Sequence, residues 1–153
     1  MAGTNLELVE LHGRPGDPYD SPFDEHAGFD ERWWSRAPWR DARWLEARRG
    51  GFGVARLQLI EGGDGVNPDY VDAPSLGRDA LRIQYIEGHA DHRCQGLGTE
   101  AVGLLSSAFA GRPIFAYSEA DRFWTNLGWA RFEHPEHAQH PSWHQVLFVR
   151  PAE

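Results

Sequence analysis

Arg93, Gly96 and Gly98 stand at a spacing suited to holding a phosphate. They lie between an apolar segment that ends near Gly88 and an amphipathic one that begins near Ala101. A helix N-terminus offers backbone N–H groups without intrahelical partners, and the helix dipole adds partial positive charge there. Glycines at that point remove side chains that would keep a phosphate away from the donors. Arg93 adds a fixed cation and a planar fork of N–H groups. A strand feeding such a turn is a pyrophosphate cradle in physical terms, and the sequence then has to say whose pyrophosphate it holds.

Three owners can be compared. The run GLGTEA at 96–101 satisfies the dinucleotide fingerprint G-x-G-x-x-G/A. That fingerprint should follow a strand directly, whereas mostly polar residues fill 90–95. The stretch after Gly98 is also short for the further strand–helix units a dinucleotide fold needs. A P-loop requires Gly-Lys-Ser/Thr, and all 15 positive side chains here are arginines. The third candidate is the pyrophosphate of an acyl-coenzyme A, which such a turn could hold.

The elements that would position this turn are readable from periodicity. Leu81, Ile83 and Tyr85 alternate with Arg82 and Gln84, which predicts a strand, and Ile86 breaks the strict period. Ala101, Val102, Leu105, Ala108 and Phe109 recur at three- and four-residue spacing, which predicts a helix stopped by Gly111 and Pro113. Further strands are expected at 5–10, 44–49, 53–61, 113–118, 131–133 and 145–150. The second and third form a hairpin across Arg49-Gly50-Gly51. Asp30 is expected to cap a short helix through Arg36, and Gly128 to end a helix over 119–127. The stretches 13–28 and 61–79 are loop by composition, the latter long enough for a site rim. Strands on both sides of a central strand–turn–helix predict a mixed α/β sheet.

At 153 residues, with 41% hydrophobic and 25% charged residues, the chain reads as one globular domain over 1–153. No apolar run is long enough to span a membrane, and no basic-then-apolar leader opens the sequence, so no membrane association is expected. Cys94 is the single cysteine, which rules out an internal disulfide and suits a reducing, cytoplasmic setting. The net charge of -8 argues against a nucleic-acid partner and leans toward a small cationic amine as substrate.

The run RCQGLG matches the Q/R-x-x-G-x-G/A signature of the GNAT superfamily of acyl-CoA-dependent N-acyltransferases, through Arg93, Gly96 and Gly98. YIEGHADHRCQGLGTEAV resembles that family's fourth strand, phosphate loop and third helix, and SEADRFWTNLGWARFE resembles its second half. The resemblance runs from Leu81 to about Glu133. It implies a central mixed sheet of six to seven strands flanked by helices, with strands four and five splayed. It also implies an N-acetyltransferase that uses acetyl-CoA, an amine acceptor that is a small molecule or a protein, and the option of a homodimer.

On this resemblance, the backbone N–H groups of Arg93, Cys94, Gln95, Gly96, Leu97, Gly98 and Thr99 bind the pyrophosphate. A bulge falls near Glu87 and Gly88, and the Gly88 amide faces the thioester carbonyl, where a preorganised donor stabilises the developing oxyanion. Gly88 departs from the family's commoner valine. Glu87 is the expected base, directly or through water, with His89 as alternative. Without such a role, Glu87 reads as a solvated strand carboxylate and His89 as a solvated loop histidine. The family's acid is a tyrosine in an aromatic–tyrosine pair, which here is Phe123-Trp124. An indole N–H donates a hydrogen bond but no proton near neutral pH. Trp124 is thus expected beside the coenzyme, with Tyr117 or Ser118 standing in for the acid. The same departure keeps a second reading in play, a non-catalytic acyl-CoA sensor.

Two other constellations carry weaker signals. Cys94 as a nucleophile would need a base, and His92 is its only neighbour of that kind in sequence. His134, His137, His140 and His144 suggest a metal, but Pro135 and Pro141 break any aligning helix and no ligand pattern appears, so no metal is expected. Finally, Trp33, Trp34, Trp39 and Trp44 sit among Asp30, Glu31 and Asp41. They either wall a cation pocket or pack helices onto the sheet, and packing is the favoured reading.

Overall fold

The computed structural model describes residues 6–37, 40, 42–61, 66–92 and 95–151. Its elements, in chain order, are β1 (Leu6–Leu11), α1 (Glu31–Trp34), β2 (Arg43–Arg49), β3 (Phe52–Glu61) and β4 (Leu81–Gly88). A 3₁₀ turn at Ala90–His92 follows, then α2 (Leu97–Ala108), β5 (Ile114–Ser118), α3 (Asp121–Asn126), β6 (Ala130–Phe132) and β7 (Val146–Val149). The seven strands form one sheet, mixed as the sequence pattern predicts, in the order β1-β2-β3-β4-β5-β7-β6. By compactness the chain divides into two units, Met1–Ile60 with Gln84–Ala110 and Glu61–Ile83 with Gly111–Glu153, and β4 runs through the boundary.

The first unit is built on an antiparallel meander. Leu6 faces Arg49 and Leu11 faces Trp44 across β1 and β2. Leu45 faces Leu57 across β2 and β3, with an irregularity between Ala47 and Arg48. The hairpin between β2 and β3 turns on Gly50 (φ +57°) and Gly51 (φ +85°). Two successive left-handed residues match the right-handed strand twist, and glycine takes that conformation without strain. Residues 54–59 of β3 are all buried, as in a strand covered on both faces. Two of them, Arg56 and Gln58, are polar, and local pattern gives no warning of their burial.

α2 contributes Leu97 to a core cluster with Leu6 and Val54. Of the apolar stripe read from the sequence, Ala101, Val102 and Leu105 are buried, Phe109 is half-buried and Ala108 is exposed. A second cluster holds Phe29, Trp34, Ala37 and Trp44, with Trp33 and Tyr85 against it. Trp33 stacks on Tyr85 at 5.4 Å with the rings 6° apart. The described part of the aromatic segment is therefore packing, as favoured; Trp39 and Asp41 lie outside the described residues.

In the second unit, β4 pairs with β5 in parallel through Leu81 opposite Ile114 and Arg82 opposite Phe115. β5 and β7 are antiparallel, with Ala116 opposite Phe148. Tyr70, Ala80, Phe115, Leu147 and Val149 form a core beneath the 66–80 loop. α3 ends as predicted on Gly128 at φ +81°. Trp124 packs between Trp129 at 4.8 Å and Phe148 at 6.0 Å. Truncating a fully buried leucine such as Leu57, Leu81 or Leu147 to alanine costs about 2–5 kcal/mol, because the vacated volume collapses only in part. No helix among the described residues is long and apolar enough to cross a membrane.

Candidate functional site

The predicted cradle is the N-terminus of α2. Gly96 is its N-cap at φ +74°, and no side chain caps it. The first helical bond runs from the Glu100 amide to the Gly96 carbonyl at 3.0 Å. The N–H groups of Leu97, Gly98 and Thr99 therefore come before the first intrahelical bond, where an anion is the natural acceptor. A left-handed residue at this point favours glycine, because an L side chain there costs about 1–2 kcal/mol. Gln95, Gly96 and Thr99 are exposed, whereas Leu97 is buried and anchors the turn. Arg93 and Cys94 lie outside the described residues.

At the end of β4, Glu87 is buried rather than solvated. Its Oε1 accepts two hydrogen bonds, from the Asp30 amide at 2.9 Å and from the Trp34 indole at 2.8 Å. The carboxylate thus ties the end of the strand to the start of α1, whose own N-cap is the Asp30 side chain. Arg56 is the nearby buried cation. Its guanidinium lies 4.5 Å from the Phe23 ring centre and 4.1 Å from that of Phe29. Burial pulls Arg56 below the ordinary guanidinium range, and the charges of Glu46, Glu87 and Asp24 oppose that pull.

Gly88 is half-buried, and a Cβ built there would meet nothing within 4 Å. Crowding is therefore not the reason for glycine at this position, and there is open space beside its backbone. His89 is half-buried rather than solvated. Its ring contacts His26 at 4.9 Å, Phe29 at 5.3 Å and His92 at 5.3 Å. Its Nδ1 accepts the Asp91 amide at 3.0 Å, which occupies the lone pair a base would use. His89 is a packing residue in this geometry.

In the second unit, Tyr117 is half-buried near the end of β5. Its hydroxyl accepts the Asn67 amide at 2.9 Å. Its ring meets Tyr70 edge-on at 5.2 Å, and the Arg82 guanidinium lies 5.0 Å from its centre. Ser118 turns its hydroxyl to accept the Ala120 amide at 3.0 Å, which shapes the entry to α3. Trp124 is 1% exposed, and its indole N–H has no hydrogen-bond partner among the described residues. The predicted residues thus divide between the units. Glu87, Gly88 and the described cradle residues belong to the first, and Tyr117, Ser118 and Trp124 to the second.

The histidine-rich loop brings ligand atoms of His134, Glu136 and His144 within 4.8 Å of one another. Its geometry is nonetheless poor for chelation. The His134 and His144 rings stack 3.8 Å apart and within 5° of parallel, so their lone pairs run side by side instead of converging. His134 Nδ1 already accepts the Glu136 amide at 3.0 Å. His137 Nδ1 bonds the His144 carbonyl at 2.7 Å, which closes the loop on itself.

Sequence reasoning missed Trp34 and Asp30 as partners of Glu87, Asn67 as partner of Tyr117, and the buried Arg56. The Asp30 cap was a visible local signal, but its link to Glu87 spans 57 positions and leaves no local trace.

No protein-family model matches the chain, and no curated protein matches it. Among solved structures, the chain is similar to a mutant of the AtaT toxin bound to the C-terminus of the antitoxin AtaR and acetyl-CoA. That likeness has 14% identity, covers 96% of this chain and 93% of that one, and has a TM-score of 0.57. An acetoin utilization protein from Exiguobacterium sibiricum is 17% identical over 100% of this chain and 89% of its own, with a TM-score of 0.53. An acetyltransferase from Thermus thermophilus is 17% identical with the same TM-score of 0.53; 72% of this chain is covered, and it spans 64% of that protein's length. At such identities the shared property is the fold. With its parallel β4 and β5 in a seven-stranded mixed sheet and α2 directly between them in sequence, the chain has the fold of the GNAT N-acyltransferases.

Proposed function

We propose that this chain transfers an acetyl group from acetyl-CoA to an amine. The observation that carries the reading is the uncapped N-terminus of α2, opened by left-handed Gly96 and following β4. In a chain with this fold, that is a place for the coenzyme's pyrophosphate. Residues 93–99 would hold the pyrophosphate through their backbone amides. Gly88 would supply an amide to the thioester oxygen, with the open space beside it receiving the acyl arm. The amine nitrogen attacks the thioester carbonyl, the C–N bond forms, and the C–S bond breaks as the tetrahedral intermediate collapses. Glu87 takes the proton the amine loses, directly or through water, and Tyr117 or Ser118 gives one to the leaving thiolate. The similarity to an AtaT structure that contains acetyl-CoA supports this donor. The work belongs to a single domain in a reducing, cytoplasmic setting, which suits a sequence with one cysteine.

A second reading has its own observation. Trp124, where the family carries its acid, is buried in aromatic packing and has no proton to give near neutral pH. That favours a protein that binds acyl-CoA without turnover. Calorimetric titration with acetyl-CoA, paired with thiol release over a panel of amines, separates the two. Binding with amine-dependent thiol release supports transfer, binding without release across the panel supports the sensor, and absence of binding sinks both.

A further inference from the structure

Two hydroxyls stand at the end of β5, on Tyr117 and Ser118, and their surroundings differ. Ser118 Oγ accepts the amide of Ala120, two residues on, in a local turn that shapes the entry to α3. An aliphatic hydroxyl is a far weaker acid than a thiol, so a proton would move uphill from Ser118 to a thiolate. A phenol and an alkyl thiol ordinarily titrate at about 10 and about 8.5, close enough for a proton to pass between them. The Tyr117 hydroxyl accepts the Asn67 amide at 2.9 Å, from 50 positions away in the chain. A donor on one side of a phenol oxygen leaves its proton to point to the other. Once that proton has left, the same N–H faces a phenolate and the bond becomes charge-assisted. The Asn67 amide thus aims the acid and stabilises what remains of it.

Asn67 is itself held in a tight turn. Its Oδ1 accepts the Asp69 amide at 2.9 Å, and its carbonyl accepts the Tyr70 amide at 3.2 Å. The last residue of the turn is the anchor. Tyr70 is 6% exposed, and its hydroxyl donates to the Gln145 carbonyl at 2.6 Å. Gln145 leads directly into β7, where Leu147 pairs with Tyr117. The Tyr70 ring also meets the Tyr117 ring edge-on at 5.2 Å and packs in one core with Phe115 and Leu147. Burial pushes the Tyr70 hydroxyl up to about 12, so at neutral pH it keeps the proton that it donates. Asn67, Tyr70 and Tyr117 line one cavity of about 410 Å³, so the phenol borders space that a ligand can enter.

We infer that Tyr117, and not Ser118, protonates the leaving thiolate, and that Tyr70 and Asn67 are positioning residues that act through it. The inference rests on the proposed acyl transfer. As the tetrahedral intermediate collapses, the C–S bond breaks with its electron pair on sulfur. Tyr117 passes its proton to that sulfur, and the phenolate recovers one from water. Tyr70 takes no part in the proton transfer; its bond to Gln145 ties the turn to β7, and the turn presents the Asn67 amide to Tyr117.

The test pairs turnover with a readout of the turn itself. Thiol release is followed at saturating acetyl-CoA with spermidine, kanamycin, lysine and phenylalanine, and backbone hydrogen exchange is read over residues 66–70. The full chain is compared with Tyr70→Phe, Asn67→Ala, Ser118→Ala, Tyr117→Phe and the Tyr70→Phe/Tyr117→Phe double variant. Tyr70→Phe should speed exchange of the Asn67 amide and lower kcat about tenfold or more, with acetyl-CoA affinity by calorimetry unchanged. Asn67→Ala, on an exposed side chain, loosens the same turn without touching the core and should do likewise. In the Tyr117→Phe background, Tyr70→Phe should cost no further turnover, which a merely structural role would not reproduce. Ser118→Ala should keep its kcat. Unchanged exchange at Asn67 in Tyr70→Phe overturns the tether. Additive losses in the double variant, or a loss in Ser118→Ala as large as in Tyr117→Phe, overturn the assignment. The expected exchange without any thiol release from the unaltered chain upholds the tether and overturns acyl transfer instead.

Discussion

Replacing Glu87 by glutamine separates its hydrogen bonding from the base role proposed for it. Its Oε1 is the acceptor for the Asp30 amide and the Trp34 indole. A glutamine carbonyl can hold both donors, so these two hydrogen bonds survive, and what the fold loses is the charge that supports buried Arg56. The amide cannot take a proton, and a missing general base lowers turnover by about 10²–10⁴-fold. Alanine removes the acceptor of both donors. Trp34 is 1% exposed, so its indole N–H would have no water to turn to. Each buried donor left without an acceptor costs about 1–3 kcal/mol, and two such losses come to about 2–6 kcal/mol. For a chain of this size, each kcal/mol moves the midpoint about 2–4 °C, so Glu87→Ala should melt about 4–24 °C lower. The assay is differential scanning calorimetry beside thiol release and acetyl-CoA titration on wild type, Glu87→Gln and Glu87→Ala. Coenzyme affinity should be unchanged in the glutamine variant. Full turnover in Glu87→Gln removes Glu87 from the chemistry; an unchanged melting point in Glu87→Ala refutes the hydrogen-bond account.

Gly96→Val should cost about 1–2 kcal/mol from the left-handed backbone alone, since the added Cβ meets nothing. It should also abolish acetyl-CoA binding, whereas unchanged affinity would sink the cradle. Gly96→Asn, which tolerates this conformation better, should recover most of the stability by thermal melt. Tyr117→Phe leaves the Asn67 amide without its acceptor and should destabilise by about 1 kcal/mol. If Tyr117 is the acid, turnover falls about 10²-fold or more, with coenzyme affinity retained; turnover unchanged in steady-state kinetics excludes it. Burial, then the neighbouring Tyr117, pushes the Tyr70 hydroxyl up to about 12, and Arg82 pulls the other way. The folded state therefore holds a proton that the unfolded chain releases near pH 10, so this contribution to stability is intact below pH 10 and is lost as pH rises toward 12. Urea melts at pH 8 to 12 should show that decline in wild type and a shallower one in Tyr70→Phe; identical slopes would refute it.

The fold was largely legible because its signals are local. Period-two and period-3.6 patterns, the Asp30 cap, the Gly50-Gly51 hairpin and the Gly128 stop each depend on residues a few positions apart. That the sheet is mixed follows once those elements are chained in order; the parallel pairing of β4 with β5 is seen only in the structure. The 3₁₀ turn at Ala90–His92 reads in sequence only as polar loop, since a single turn has no period to detect.

The backbone of the candidate cradle was legible, and the surroundings of the candidate side chains were not. A phosphate cradle depends on glycine and on where a helix starts, both of which the sequence displays at Gly96. What a carboxylate or a phenol does depends on partners brought from afar: Trp34 lies 53 positions from Glu87, and Asn67 lies 50 from Tyr117. The same distance effect hides Arg56, a charge that pattern reading assigns to solvent. Its place between Phe23 and Phe29 exists only after the 13–28 loop has folded back onto β3.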